Sequence, residues 1–261
     1  MLDVSPVRAF SDNYIWLIHS PANPSRVAAV DPGDARPVEA HLRLHGLDLR
    51  AVLVTHHHPD HVGGVATLAA SHAVEVIGPS GVALPEGARR VADGDRVAID
   101  SLGLDFAVLG VPGHTLDHLA YLGHGALFCG DTLFSAGCGR LFEGSAAQMH
   151  ESLTRLTELP ADTRVYCGHE YTLANLRFAQ AVEPENRQIT ERLAETELLR
   201  AAQRPSLPST IGRELEYNPF LRCDREPVRR AAERHSGHRM RTPIEVFAAV
   251  RAWKDGFRLE K

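Results

Sequence analysis

The chain has no apolar run approaching the ~20 residues that a membrane-spanning helix needs, and Met1 to Ser20 carries neither a basic leader nor a small-residue cleavage site. A soluble, unexported protein of the cytoplasm, without a membrane partner, is expected. Cysteine is scarce. Cys129, Cys138, Cys167 and Cys223 show no C-x-x-C spacing, which argues against a zinc ribbon and against a disulfide framework. Basic runs of the kind that track a phosphate backbone are missing, and the net charge is −5 with histidine neutral, so nucleic acid is not an expected partner. No long segment is depleted in apolar residues either, which leaves little room for disorder. At 261 residues the chain exceeds a typical domain of ~100 to 200, so one large domain or a domain with an appendage is expected.

What the chain has in excess is histidine, 15 residues of it, several of them clustered. Imidazole is the commonest metal ligand, so this clustering directs the reading.

Up to Tyr171 the pattern is one of short β-rich runs broken by Gly, Pro and Asp turns. Strands are predicted at Tyr14 to His19, Val27 to Val30, Ala51 to Thr55, Val74 to Gly78, Leu104 to Leu109, Ala126 to Cys129 and Arg164 to Cys167. Helices at Ala35 to His45 and His61 to Ser71 make α/β layering the better expectation than an all-β barrel. Beyond Tyr171 the periodicity becomes helical, near Leu173 to Val182, Glu185 to Gln203, Glu226 to His235 and Pro243 to Phe257. Two domains are expected, residues 1–172 and 173–261. The last helix is the best marked, with Thr242 as N-cap, Pro243 at its first position, Glu245 completing a capping box and Gly256 as its stop.

Thr55-His56-His57-His58-Pro59-Asp60-His61 follows directly on an apolar strand, where a loop can present several ligands together. Alternate residues of an extended segment point the same way, so His56 and His58 can grip one ion while Asp60 and His61 turn towards a second. His114, Asp131 and His169 arrive later, each at a turn and each preceded by glycine. Imidazole with a shared carboxylate suits zinc, and also iron or manganese. His57, His118 and His124 are given no ligand role, Glu170 is taken as supporting structure, and no role is assigned to Asp117. Cys129 and Cys167 are expected near the metals without binding them.

The pattern T-H-x-H-x-D-H, followed by G-H-T, G-D-T and G-H-E, resembles the metallo-β-lactamase superfamily. That resemblance implies an αββα sandwich followed by a small all-helical C-terminal domain. It also implies two divalent metal ions, with His56, His58 and His114 on one, Asp60, His61 and His169 on the other, and Asp131 bridging. A water shared by two cations is acidified towards neutrality, so a metal-bridging hydroxide is the expected nucleophile, with Asp60 and Asp131 as the catalytic carboxylates.

The flanks Phe10 to Tyr14, Ala136 to Gly144, Arg164 to Thr172, Asn218 to Leu221 and Arg251 to Phe257 resemble the glyoxalase II (hydroxyacylglutathione hydrolase) family over nearly the whole chain. The implied reaction is hydrolysis of S-D-lactoylglutathione to glutathione and D-lactate, within methylglyoxal detoxification, by a monomer acting on this small molecule. Binding a substrate with two carboxylates requires a local cationic cluster on a net-negative protein. Arg140, Arg251 and Lys254 match the family's positions for it, and Tyr171 matches a tyrosine that contacts the glutathione backbone. Phe142 stands where many members have Tyr, which removes one hydrogen bond worth about 0.5 to 1.5 kcal/mol.

Three other readings compete. A lactonase or β-lactamase-like hydrolase is disfavoured by the final Arg-x-x-Lys helix, and a mono-iron glutathione persulfide dioxygenase by the complete set Asp60, His61 and His169. A binding module with structural metal is disfavoured because structural zinc is usually closed by four protein ligands, whereas these divide over two ions.

Overall fold

Two strands joined by a tight turn open the chain: β1 (Val4–Ala9) and β2 (Asn13–His19) pair antiparallel. In the computed structural model, which describes residues 2–258, β3 (Arg26–Val30), α1 (Ala35–His45), β4 (Asp48–Leu53), α2 (Pro59–Val62), α3 (Val65–Ser71), β5 (Glu75–Pro79) and β6 (Arg89–Val91) follow. These strands form one six-stranded sheet in chain order, antiparallel from β1 to β3 and parallel from β3 to β6.

A second sheet is built from β7 (Arg96–Ile99), β8 (Leu104–Gly110), β9 (Leu119–Gly123) and β10 (Ala126–Gly130). A short hairpin, β11 (Leu133–Phe134) with β12 (Gly137–Cys138), leads to α4 (Ala146–Thr157) and then to β13 (Arg164–Cys167), which pairs parallel with β10. Helices α5 (Thr172–Val182) and α6 (Arg187–Ala201) come next, before a two-residue strand β14 (Ser209–Thr210) completes the sheet order β14-β13-β10-β9-β8-β7. The described chain closes with α7 (Ile211–Tyr217), α8 (Glu226–Ser236) and α9 (Pro243–Gly256).

The period-2 pleat divides the first sheet's side chains between two cores. Ile18, Ala28 and Leu53 face the second sheet, where they meet Phe106, Val108, Tyr121, Leu127 and Val165. Their neighbours Leu17, Ala29 and Val52 face α1 and α3, against Val38, Leu42 and Leu68. The inter-sheet core runs on without a break through Met149 and Leu153 of α4 to Phe247 and Val250 of α9, so the outer helices of the second sheet belong to it. Truncating a fully buried member such as Leu53 to alanine costs about 2 to 5 kcal/mol in such packing.

The structure corrects several local expectations. The helix predicted at His61 to Ser71 is two helices, α2 and α3, because Gly63 and Gly64 interrupt it. Strands β1, β6, β7, β9, β11, β12 and β14 and helices α4 and α7 have no counterpart among the sequence expectations. For α4 a signal was present, since Ser145 and Gln148 form a complete capping box. The capping box of α9 forms as expected between Thr242 and Glu245, but Gly256 is the last helical residue and Phe257 the cap.

Candidate metal centre

The site forms where strands from both sheets end. His56 and His58 lie in the extended loop after β4, and Pro59 starts α2 so that Asp60 and His61 fall within its single turn. On the opposite sheet, Asp131 directly follows β10 and His169 lies two residues beyond β13. Because β10 and β13 are parallel neighbours, these two side chains emerge side by side. The amide of Tyr14 donates to the Gly168 carbonyl at 2.8 Å, which ties the first sheet to this edge.

Glycine is required at two of these approaches. A Cβ on Gly168 would sit 2.7 Å from both Asp131 Oδ1 and His61 Cε1, and one on Gly33 would overlap the Asp60 carbonyl at 1.8 Å.

Two triads result, each with its ligand atoms within 4.8 Å of one another: His56, His58 and His114, and Asp60, His61 and His169. In the first, His58 Nδ1 lies 3.2 Å from His56 Nε2 and 2.9 Å from His114 Nε2. In the second, Asp60 Oδ2 lies 3.5 Å from His61 Nε2 and 3.4 Å from His169 Nε2. Asp131 stands between them. Its Oδ2 is 3.5 Å from His114 Nε2 and 3.3 Å from His169 Nε2, and its Oδ1 is 3.4 Å from His61 Nε2.

Electrostatics divides the triads. Burial pushes His56, His58 and His114 down, which keeps them as neutral imidazoles with a lone pair to give. Burial also opposes charge on His169, yet Asp131, Asp60 and Asp12 push it up to about 11. The same carboxylates, Asp131, Asp60 and Asp12, would favour a metal cation at this place. Asp60 is held below the usual carboxylate range, mostly by His169, and Asp131 by His61 and His169 in spite of its burial. Asp131 Oδ1 is also a buried oxygen without a hydrogen-bond partner, an acceptor directed at the position a cation would take. Donor types, the unpartnered oxygen and the charge balance all fit a binuclear metal site.

Outer partners orient these ligands, and most escaped the sequence reading. Asp31 Oδ2 lies 3.0 Å from His61 Nδ1 and accepts the Thr55 hydroxyl at 2.7 Å. Asp12 Oδ1 is 2.7 Å from His169 Nδ1, the Arg140 carbonyl 2.8 Å from His114 Nδ1, and Asn13 donates to Asp60 Oδ2 at 3.0 Å. His118, given no ligand role, accepts the Asp131 amide at 3.1 Å and stacks on His56. A usable signal for Asp31 existed: it stands immediately after the apolar run Val27 to Val30, at a strand end like the ligands themselves. Asp117 lies 3.4 Å from His57 Nδ1, and Glu143 lies 3.2 Å from His57 Nε2. Glu170 supports the fold from a half-buried position, accepting from Tyr14 and Ser206. Cys129 and Cys167 are buried beside the site and belong to neither triad.

Around the centre, Tyr171 stacks on His169, and the exposed Phe142 ring stands edge-on to His58 and His114. Arg140, Arg251 and Lys254 come together at the C-terminal end of α9. Arg251 is buried, donating to the Cys138 carbonyl at 3.0 Å with its guanidinium over Phe220, while Lys254 lies over Phe178.

This sandwich with its two triads is that of a metallo-β-lactamase superfamily protein, and the superfamily's model matches residues 10–169. The model described as "Hydroxyacylglutathione hydrolase C-terminus" matches residues 170–257. A hydroxyacylglutathione hydrolase of Pseudomonas paraeruginosa is 56% identical, over 98% of this chain and 100% of its own length. One of Nitrosomonas europaea is 46% identical, over 99% and 97%. The chain belongs to the hydroxyacylglutathione hydrolase family. Among solved structures, ETHE1 from Myxococcus xanthus is similar, with a TM-score of 0.64, 27% identity and coverage of 97% and 98% of the two chains. TTHA1623 in a di-iron-bound form aligns with a TM-score of 0.60 at 26% identity, over 83% of this chain and all of that one.

Proposed function

We propose that this chain hydrolyses the thioester of S-D-lactoylglutathione, releasing glutathione and D-lactate. The observation that carries the reading is the placement of two complete triads about Asp131 beside a cationic cluster on the last helix. It is supported by the family of the chain and by the length over which its relatives match.

His56, His58 and His114 would hold one divalent cation, Asp60, His61 and His169 the other, and Asp131 both. Two bound cations supply Lewis acidity to a carbonyl and make water nucleophilic at neutral pH. Zn²⁺ is the metal we assign, and the same nitrogen and carboxylate donors accept iron or manganese. Asp60, steadied by Asn13, would accept a hydrogen bond from the attacking water and so orient it. The leaving thiolate, with a conjugate acid near ~8.5, departs without a general acid. Arg140, Arg251 and Lys254 supply the positive field for the glutathione carboxylates, and Tyr171 with Phe142 lines the approach. The two-domain division at 172/173, a monomeric state and a cytoplasmic location complete the proposal. Among the described residues no helix is long and apolar enough to cross a membrane.

The test is the loss of thioester absorbance on purified protein whose metal content is measured in the same sample. Rapid turnover with about two metals per chain is expected; two metals without turnover would discard the substrate, and a single iron would favour dioxygenase chemistry.

A further inference from the structure

Asp255 lies inside the cationic cluster, where a carboxylate would weaken attraction for an anionic substrate unless it did something else. Its Oδ1 accepts from Arg140 Nε at 3.2 Å and from Arg251 Nη2 at 3.0 Å. The two arginines come from distant parts of the chain, the loop after β12 and the middle of α9, and one oxygen joins them. Their situations differ. Arg251 is buried, with Nη1 on the Cys138 carbonyl, Nη2 on Asp255 and Nε enclosed without a partner. Its guanidinium is committed to the fold. Arg140 has a side chain 59% exposed, and among the described residues Asp255 is its one side-chain partner. Bonded through Nε, it keeps both terminal nitrogens clear, the pair that a carboxylate takes in bidentate fashion.

We propose that Asp255 is a positioning residue that aims Arg140 at a substrate carboxylate, with Arg251 as the fixed anchor of the chain Cys138–Arg251–Asp255–Arg140. The inference rests on the glutathione reading. A free arginine on an exposed loop has many rotamers, and ordering it at the moment of binding costs affinity; Asp255 orders it beforehand. The opposing effect, one negative charge in the field, is screened by solvent at a partly exposed mouth.

The test is a double-variant cycle on the metal-replete enzyme at about 0.15 M salt, reading KM and kcat for lactoylglutathione and the Kd of glutathione. Asp255→Ala is expected to raise KM and the glutathione Kd about three- to tenfold, with kcat within about twofold. Asp255→Asn should show the same direction, and with equal metal content and melting temperature it excludes misfolding as the cause. In an Arg140→Ala background, removing Asp255 should retain less than half of the logarithmic effect. An unchanged or lowered KM in the single variants, or an equal effect in both backgrounds, overturns the inference. If wild-type protein with two metals neither hydrolyses the thioester nor binds glutathione, the functional reading falls first and this inference with it.

Discussion

The ring of Tyr171 lies flat on the imidazole of His169, with centroids 4.7 Å apart and planes 4° from parallel. One residue of the approach therefore also braces a member of the second triad. Tyr171→Phe keeps the stack and loses only the hydroxyl, so KM should rise about two- to tenfold with metal content unchanged. Tyr171→Ala removes the stack as well, worth about 0.5 to 1.5 kcal/mol, and should also weaken one of the two metal sites. Competition with a chromophoric chelator reads the second effect; identical metal affinities in the two variants would refute the bracing role.

Asp31 is buried and holds His61 Nδ1 and the Thr55 amide and hydroxyl together. Asp31→Asn keeps the volume and loses the charge that fixes the His61 tautomer. Metal affinity should fall about 10- to 100-fold at one site, with the other little affected. Isothermal titration on apo-protein would show one weakened and one unchanged binding event.

Lys254 is pushed down to about 8, first by its burial and then by Arg251. Below that pH it is an ammonium that attracts an anionic substrate; above it the charge is lost. KM should therefore rise as pH increases through about 8. Lys254→Gln should have a higher KM with no inflection there. A wild-type KM flat between pH 6.5 and 9.5 would remove Lys254 from substrate binding.

Phe142 presents an exposed edge next to His58 and His114. A hydroxyl at its tip would restore a hydrogen-bonding group to the approach, so Phe142→Tyr should lower KM about two- to tenfold without loss of kcat. Steady-state kinetics on matched preparations decides it.

Gly168→Ala would drive a methyl group into Asp131 Oδ1 and His61, at 2.7 Å from each. Because Asp131 lies between both triads, the variant should bind fewer than two metals and lose most of its activity, on the order of 100-fold or more in the range of disrupted metal support. Full metal content in elemental analysis would contradict this.

Much of this was readable in order along the chain because the chemistry is concentrated in short segments. Of the seven residues that make up the two triads and Asp131, four lie within the segment from His56 to His61, on a loop whose apolar lead-in marks it as a strand end. The last helix shows its start through Thr242, Pro243 and Glu245, which act on backbone atoms within one turn. What stayed illegible depends on pairings between distant residues. The partner of His61 is 30 positions away in Asp31, and that of His169 is 157 positions away in Asp12. Strands such as β9 are weak sequence signals, since Leu119 to Gly123 is buried on both faces at its start and shows no alternation.

The sequence by itself determined the donor types and the local cluster His56, His58, Asp60 and His61, because residue types and their spacing within a strand-end loop do not wait on the rest of the fold. Only the tertiary structure decided which atoms turn inward and which carboxylates hold them. Asp131 comes between the triads because β10 and β13 run parallel and end together. Arg251 became an anchor and Arg140 a free fork because Asp255 reaches both. Orientation of this kind is set by packing and by hydrogen bonds across the two sheets and the last helix, and no local spacing encodes it.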